Sequence, residues 1–337
     1  MNLPPPLTQR SPQPGLIREE VESRLVDERL RQMGREDESM KIAISGSHGL
    51  IGSELATRLT NDGHQVIHLV RKASESPSEI FWDQNGEGEN LVCLEGVDAV
   101  IHLAGENISS GRWTDEKKKE IRESRVRSTN QLSKALAALK NPPKVFICGS
   151  AIGFYGERGD TIVDESASGG FDFLSEVCKD WENATEAAKK AGIRVVNLRT
   201  GVVLSKRGGA LAKMLPPIMS GLGGPLGDGR QYMSWISMDD EVGAIIHILN
   251  TESLSGPVNL VAPHAVTNKE FTNTLGSVVH RPTVFPVPAF GLRLLLGEMA
   301  DELLLSSTLV KPTKLEESGY KFRYPELEAA LKHALTH

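Results

Sequence analysis

From residue 40 onward, the apolar positions follow two alternating rhythms. Short, mainly apolar runs recur at 42–44, 65–70, 97–105, 145–148, 193–198 and 257–261, the pattern of strands buried on both faces. Between them lie stretches with apolar residues three and four apart, at 50–59, 114–139, 171–191 and 240–249, which predict helices. Thr114, followed by Asp115 and Glu116, predicts the start of the second helix, and Asp240 is a candidate cap for the fourth. Strand and helix in alternation predict an α/β fold with a parallel, doubly wound sheet. Ile80-Phe81-Trp82 reads as an edge strand, and 267–279 as a late helix.

Outside this alternation the texture changes. Residues 1–39 open with Pro4-Pro5-Pro6 and continue with mixed charges around a thin stripe of Ile17, Val21, Leu25 and Leu30. They read as a disordered or marginally helical extension, and Met40, just before the first strand, is a second candidate start of the functional chain. Residues 205–235 are punctuated by glycine and proline, as substrate-binding loops often are. A mainly helical appendage is expected over 263–337, after a nucleotide-binding unit at 40–262.

The first turn carries the chemistry. In Lys41–Gly52, KIAISGSHGLIG, a strand stops at Ser45 and glycines follow at 46, 49 and 52 before a helix. That order suits a dinucleotide. Gly46 permits the tight turn, Gly49 lets the backbone approach a pyrophosphate, and Gly52 allows close packing of helix on strand. The helix N-terminus supplies free N–H groups to the phosphates. After the second strand the chain reads Arg71-Lys72, with no acid before Glu75, which favours the 2′-phosphate of NADP over the ribose hydroxyl of NAD. His102 lies inside an apolar run and reads as a packed strand residue.

Bulk properties narrow the partners. The formal net charge of −6 excludes a general nucleic-acid or anionic-membrane surface, and no apolar run is long enough for a membrane span. Cys93, Cys148 and Cys178 show neither metal spacing nor an even-numbered disulfide framework, which points to a reducing, cytoplasmic setting and no metal. A small-molecule substrate is expected, with a homodimer or another protein as further partner.

Five segments taken together, SGSHGLIG, HLAG, GSAIGFYG, LRTGVVL and GDGRQYMSWISMDD, resemble the extended short-chain dehydrogenase/reductase superfamily, in its epimerase/dehydratase branch. AGENISSGRW, KMLPPIMSGLGGPLG and the tail from Leu292 resemble one subfamily, the epimerase family proteins with a C-terminal domain of unknown function. The resemblance implies a Rossmann-type domain with NADP, or less favourably NAD, at the strand ends. Gly46, Ser47, His48, Gly49, Leu50 and Ile51 would hold the pyrophosphate, and Val70 and Arg71 would meet the adenosine ribose. Leu103 and Ala104 would lie along the cofactor, with Glu120 and Arg125 facing it and Val203 near the nicotinamide.

Departures from the pattern matter as much. Active members carry a serine or threonine before the YG pair and a tyrosine followed four residues later by lysine. Here Tyr155-Gly156 aligns that hydroxyl with Ala151, and Trp181-Glu182 aligns tyrosine with Leu174 and lysine with Cys178. The arginine–aspartate pair of sugar-nucleotide members is replaced by Met233-Ser234, which disfavours a nucleotide sugar. Two readings follow. One is an NADP-dependent oxidoreductase or epimerase with a non-standard proton donor among Ser150, Tyr155, Cys178 and Lys179. The other is a non-catalytic dinucleotide binder or sensor acting through a protein partner, with cell division as a weak hint from relatives.

Overall fold

The computed structural model describes residues 39–72, 76–84 and 89–336; the expectations for 1–38 lie outside them. Seven strands form one sheet: β1 (Lys41–Ser45), β2 (Gln65–Val70), β3 (Glu79–Phe81), β4 (Ala99–His102), β5 (Val145–Ala151), β6 (Arg194–Thr200) and β7 (Gly256–Leu260). Their order is β7-β6-β5-β4-β1-β2-β3 and every pairing is parallel. The chain therefore winds outward from β1 in one direction and from β4 in the other, which places the switch point between those two strands.

Alternate strand residues fill opposite faces. Ile42, Ile44, Ile101, Ile147 and Leu198 pack on the face covered by α1 (Leu50–Asn61) and the helix at 238–250, while Ala43, Val100, Phe146 and Val195 pack on the other side. That second face is covered by α2 (Asp115–Ala137), whose N-cap Thr114 accepts from the Lys117 amide as the sequence predicts. The predicted helix over 171–191 is interrupted. α3 (Phe173–Asn183) stops where the Thr185 hydroxyl donates to the Glu182 carbonyl at 2.7 Å, and a short turn of helix, Glu186–Lys190, follows.

Beyond the sheet lie α4 (Gly209–Met219), α5 (Met238–Asn250), α6 (Asn268–Val278), α7 (Ala289–Leu296) and α8 (Leu327–Thr336). The cap of α5 is Ser237, not Asp240: the Ser237 hydroxyl accepts from the Asp240 amide at 3.0 Å and donates to its carboxylate at 2.8 Å. Ser237 stands just before the first helical residue, Met238, whereas Asp240 lies inside the first turn and binds elsewhere. It accepts from the amides of Arg323 (2.6 Å) and Tyr324 (2.9 Å) and from the Tyr320 hydroxyl (3.1 Å). Further stitches join the C-terminal residues to the sheet unit. Strand Leu309–Val310 pairs with Ile162–Val163, and Glu165 accepts from the amides of Asn259 and Lys314. Among the described residues no helix is long and apolar enough to cross a membrane.

Candidate functional site: a dinucleotide cradle and an apolar cavity

The turn after β1 is built as its glycines require. Gly46 has φ +73°, and a Cβ there would lie 2.7 Å from the Leu103 backbone. A Cβ on Gly52 would lie 2.2 Å from the Gly46 carbonyl oxygen, so α1 approaches β1 only because both positions are bare. At Gly49, the N-cap of α1, no side chain caps the helix, and its first turn carries no acid. By contrast α2, α3, α5 and α6 each carry a side-chain cap and acids in the first turn. α4 and α7 share this lack of a cap and of first-turn acids, but it is α1 that follows the glycine loop, and it keeps free N–H groups and an uncompensated positive end. Ser47 is buried in the same loop, and its hydroxyl has no partner among the described residues. An orphaned donor beside bare helix amides fits a phosphate.

The remaining predicted cofactor residues surround this loop unevenly. His48 is exposed, with Nε2 3.8 Å from Glu79, and Ile51 packs on the core beneath. Leu50 lies against Gly208 and Gly209, at the start of the loop region. Val70 ends β2, and exposed Arg71 lines a cleft of about 380 Å³ with Trp82, Asp83, Glu120 and Arg127. Leu103 donates its amide to Ser45 at 3.0 Å, and Ala104 follows. Glu120 and Arg125, expected together, part company. Glu120 lines the Arg71 cleft and pairs with Lys117 at 3.5 Å. Arg125 lies over Trp181 and donates to the carbonyls of Glu106 (2.9 Å) and Ile121 (3.1 Å). Val203 packs on the sheet core; its neighbour Val202 faces the larger cavity.

That cavity, about 840 Å³, opens at the carboxyl ends of β5 and β6, where Ser150–Gly153 and Thr200–Val202 form one wall. α2, α3, α4, α7, the loop residues 108–112 and 232–234, and residues 299–308 supply most of the rest. His102 at the end of β4 is structural. It bridges the hydroxyls of Ser45 (2.5 Å) and Ser128 (3.2 Å), and burial holds its pKa down at about 3, so the ring stays neutral.

The four candidate proton donors divide. Tyr155 and Lys179 do not line the cavity. Tyr155 is fully buried, donates to Asn259 at 2.7 Å, accepts from Arg199 at 3.0 Å and has its pKa pushed up to about 12 by burial. Lys179 binds the Gly170 carbonyl at 2.5 Å and Glu176 at 2.7 Å. Cys178 and Ser150 do face the cavity. Burial pushes the Cys178 thiol up to about 12, so it is no thiolate, and Ser150 is tied to Glu182 at 2.8 Å. Glu182 in turn holds Arg199 through two bonds of 2.8 and 2.9 Å. Tyr155, Ser150, Glu182 and Arg199 are thus one buried brace behind the cavity wall.

Sequence reasoning missed Glu302. Its carboxylate accepts from the amides of Phe173 (3.2 Å) and Leu174 (2.9 Å) at the start of α3, and it lines the cavity. Burial, aided by the nearby charge of Asp172, pushes its pKa up to about 7 against those two hydrogen bonds. Leu174 is the position that aligns with the missing tyrosine. No spacing rule joins residues 174 and 302, so no motif could have revealed the pair.

A parallel sheet with its switch point beside a bare-ended helix defines the class: a Rossmann-type protein with a dinucleotide-shaped cradle. Residues 42–261 match the model of the NAD dependent epimerase/dehydratase family, and residues 287–334 match a domain of unknown function, DUF1731. Epimerase family protein Mb2239 of Mycobacterium bovis is 44% identical over 295 residues, 88% of this chain and 97% of that protein. The crystal structure of human epimerase family protein SDR39U1 (isoform 2) with NADPH superposes with a TM-score of 0.82 at 35% identity, covering 88% of this chain and 100% of that one. A nucleoside-diphosphate sugar epimerase from Corynebacterium glutamicum gives 0.73 at 39% identity, over 88% of this chain and 58% of its own. The chain belongs to the NAD dependent epimerase/dehydratase family, in its epimerase family protein branch with the C-terminal DUF1731 domain.

Proposed function

We propose that this protein binds NADPH and reduces a small carbonyl compound, with Glu302 as the proton donor. The observation that carries the reading is a near-neutral carboxyl group in a cavity at the carboxyl ends of β5 and β6. The cradle fits the dinucleotide through the amides of α1, the Ser47 hydroxyl and Arg71 at the ribose end. NADPH supplies a hydride when bound. The chain's own part is to position the substrate and to move a proton. Protonated Glu302 donates to the developing alkoxide oxygen; in the reverse direction its carboxylate accepts the hydroxyl proton. The Leu174 and Phe173 amides hold the carboxylate left behind. Cys93, Cys148 and Cys178 form no disulfide among the described residues, which suits a reducing cytoplasm.

The sign of the pH dependence follows. Reduction needs the protonated acid, so its rate falls as pH rises through about 7. Glu302→Gln lowers the rate by roughly 10²–10⁴-fold, the scale of general acid catalysis, and removes that inflection. NADPH oxidation by a panel of ketones and aldehydes, followed in absorbance from pH 5 to 9 for both proteins, tests this. A wild-type chain that binds NADPH tightly but turns over no carbonyl would leave the non-catalytic binder as the better reading.

A further inference from the structure

The cavity's walls carry information about what fits inside. Ile121, Leu174, Val177, Met214, Met299 and Leu303 line it. They come from α2, α3, α4 and the C-terminal residues, so four separate elements converge on an apolar interior. Its volume of about 840 Å³ is that of a ligand site and far larger than a packing defect.

The charged groups around it do not form a diphosphate clamp. Arg125 is committed to two backbone carbonyls and the face of Trp181. Lys213 is held by the carbonyl (2.5 Å) and hydroxyl (2.8 Å) of Ser109. Arg112 is exposed, beside Gly297. Met233 stands where sugar-nucleotide enzymes place an arginine, and its sulfur accepts from Asn268 at 3.3 Å. Arg112, Arg125 and Lys213 line the cavity together with two acids, Asp172 and Glu302. Asp172 is fixed as the cap of α3, accepting from the Ser175 amide at 2.8 Å and its hydroxyl at 2.6 Å. Beside Leu174 the Asp172 carboxylate disfavours an anionic head, and the Glu302 carboxyl group can accept from or donate to a neutral one. One end of the cavity continues onto an apolar surface: Leu295 lines it yet is 73% exposed, and Phe290 and Leu294 of the same helix are 73% and 78% exposed. A hydrocarbon tail longer than the cavity therefore meets an apolar rim.

From this arrangement we infer that the site takes an aliphatic or alicyclic carbonyl compound: one neutral oxygen at the Glu302 end, a hydrocarbon body among the leucines and methionines, and no diphosphate. This inference rests on the cavity being the substrate site of the proposed reductase, and it adds the chemical class.

The test is binding without turnover. Methyl ketones of increasing chain length are titrated calorimetrically into the full chain, with and without saturating NADP⁺, which has no hydride to give. Matched fatty carboxylates, UDP-glucose and UDP-N-acetylglucosamine serve as comparators. Each added methylene tightens the ketone by about fourfold while the chain still finds apolar wall, the value for one buried methylene. At pH 8, carboxylates bind at least tenfold more weakly than ketones of equal length, and Glu302→Gln narrows that gap. Met214→Glu, placed on the wall, flattens the chain-length slope with the circular dichroism spectrum retained. A flat slope in the wild-type chain, or a UDP-sugar bound more tightly than the longest ketone, overturns the inference. Turnover confined to short polar carbonyls also overturns it and leaves the reductase proposal standing. Tight, length-dependent ketone binding with no turnover does the reverse.

Discussion

Replacing Glu241 by glutamine should stabilise the protein, and by an amount that grows with pH. Glu241 is fully buried near the start of α5. One carboxyl oxygen accepts from the Thr200 hydroxyl at 2.9 Å, and the other has no partner among the described residues. Burial pushes its pKa from 4.5 up to about 8, only partly opposed by the Thr200 bond. The folded chain therefore keeps this proton over a range where the unfolded chain releases it. Below about 4.5 both states hold the proton and the group is neutral in its effect. Between about 4.5 and 8 the unfolded state gains a favourable ionisation that the folded state lacks, and stability falls as pH rises. At roughly 1.4 kcal/mol per pKa unit, the loss at pH 7 is on the order of 3 kcal/mol. Glutamine keeps the acceptor for Thr200 and never ionises. Urea unfolding of both proteins at half-unit steps from pH 4.5 to 8.5 gives the difference directly. It should be small at pH 4.5 and reach a few kcal/mol in favour of the variant near pH 8. A difference that stays constant with pH would show that Glu241 is ionised in the fold and would refute the reasoning.

Two other substitutions probe the brace and the cradle. Glu182→Ala leaves the buried Arg199 guanidinium without its two-bond partner and should cost about 3–5 kcal/mol, the scale for breaking a buried ion pair; urea denaturation reads it, and a cost below 1 kcal/mol would mean that solvent replaces the carboxylate. Arg71→Ala should weaken NADPH by roughly tenfold, the scale of one charge-assisted hydrogen bond, and leave NADH unchanged, measured by fluorescence titration of each cofactor. Equal losses for both cofactors would move the 2′-phosphate away from Arg71.

How much of this was legible depended on the distance over which the residues speak. β1, the glycine turn and α1 lie within 21 consecutive residues, and their fold follows from local chemistry: an apolar run, a positive φ at Gly46 and a helical apolar stripe. The placing of Thr114 as a cap is likewise local. The break after Asn183 was not legible, because apolar spacing continues through it. By local spacing Asp240 reads as the cap of α5, whereas most of its partners lie some 80 residues away. The cavity shows the same limit. The absence of the tyrosine and lysine was visible as a gap in a motif. What lines that space instead, Glu302, comes from 128 residues further along, and only tertiary structure brings it to Leu174.

The stitching of the C-terminal residues has a consequence for synthesis. Loop closure over long sequence separations is slow relative to local structure. On the ribosome, the N-terminal part of a chain emerges and begins to order first. For this protein, residues 41–61 can form the cradle early, while the cavity wall waits for residues 299–308 and the Asp240 contacts wait for residues 320–324. A stalled or truncated chain ending near residue 262 would carry a phosphate-ready loop beside an open apolar trough with one wall missing. Such a nascent chain would expose apolar surface until residues 289–308 are in place.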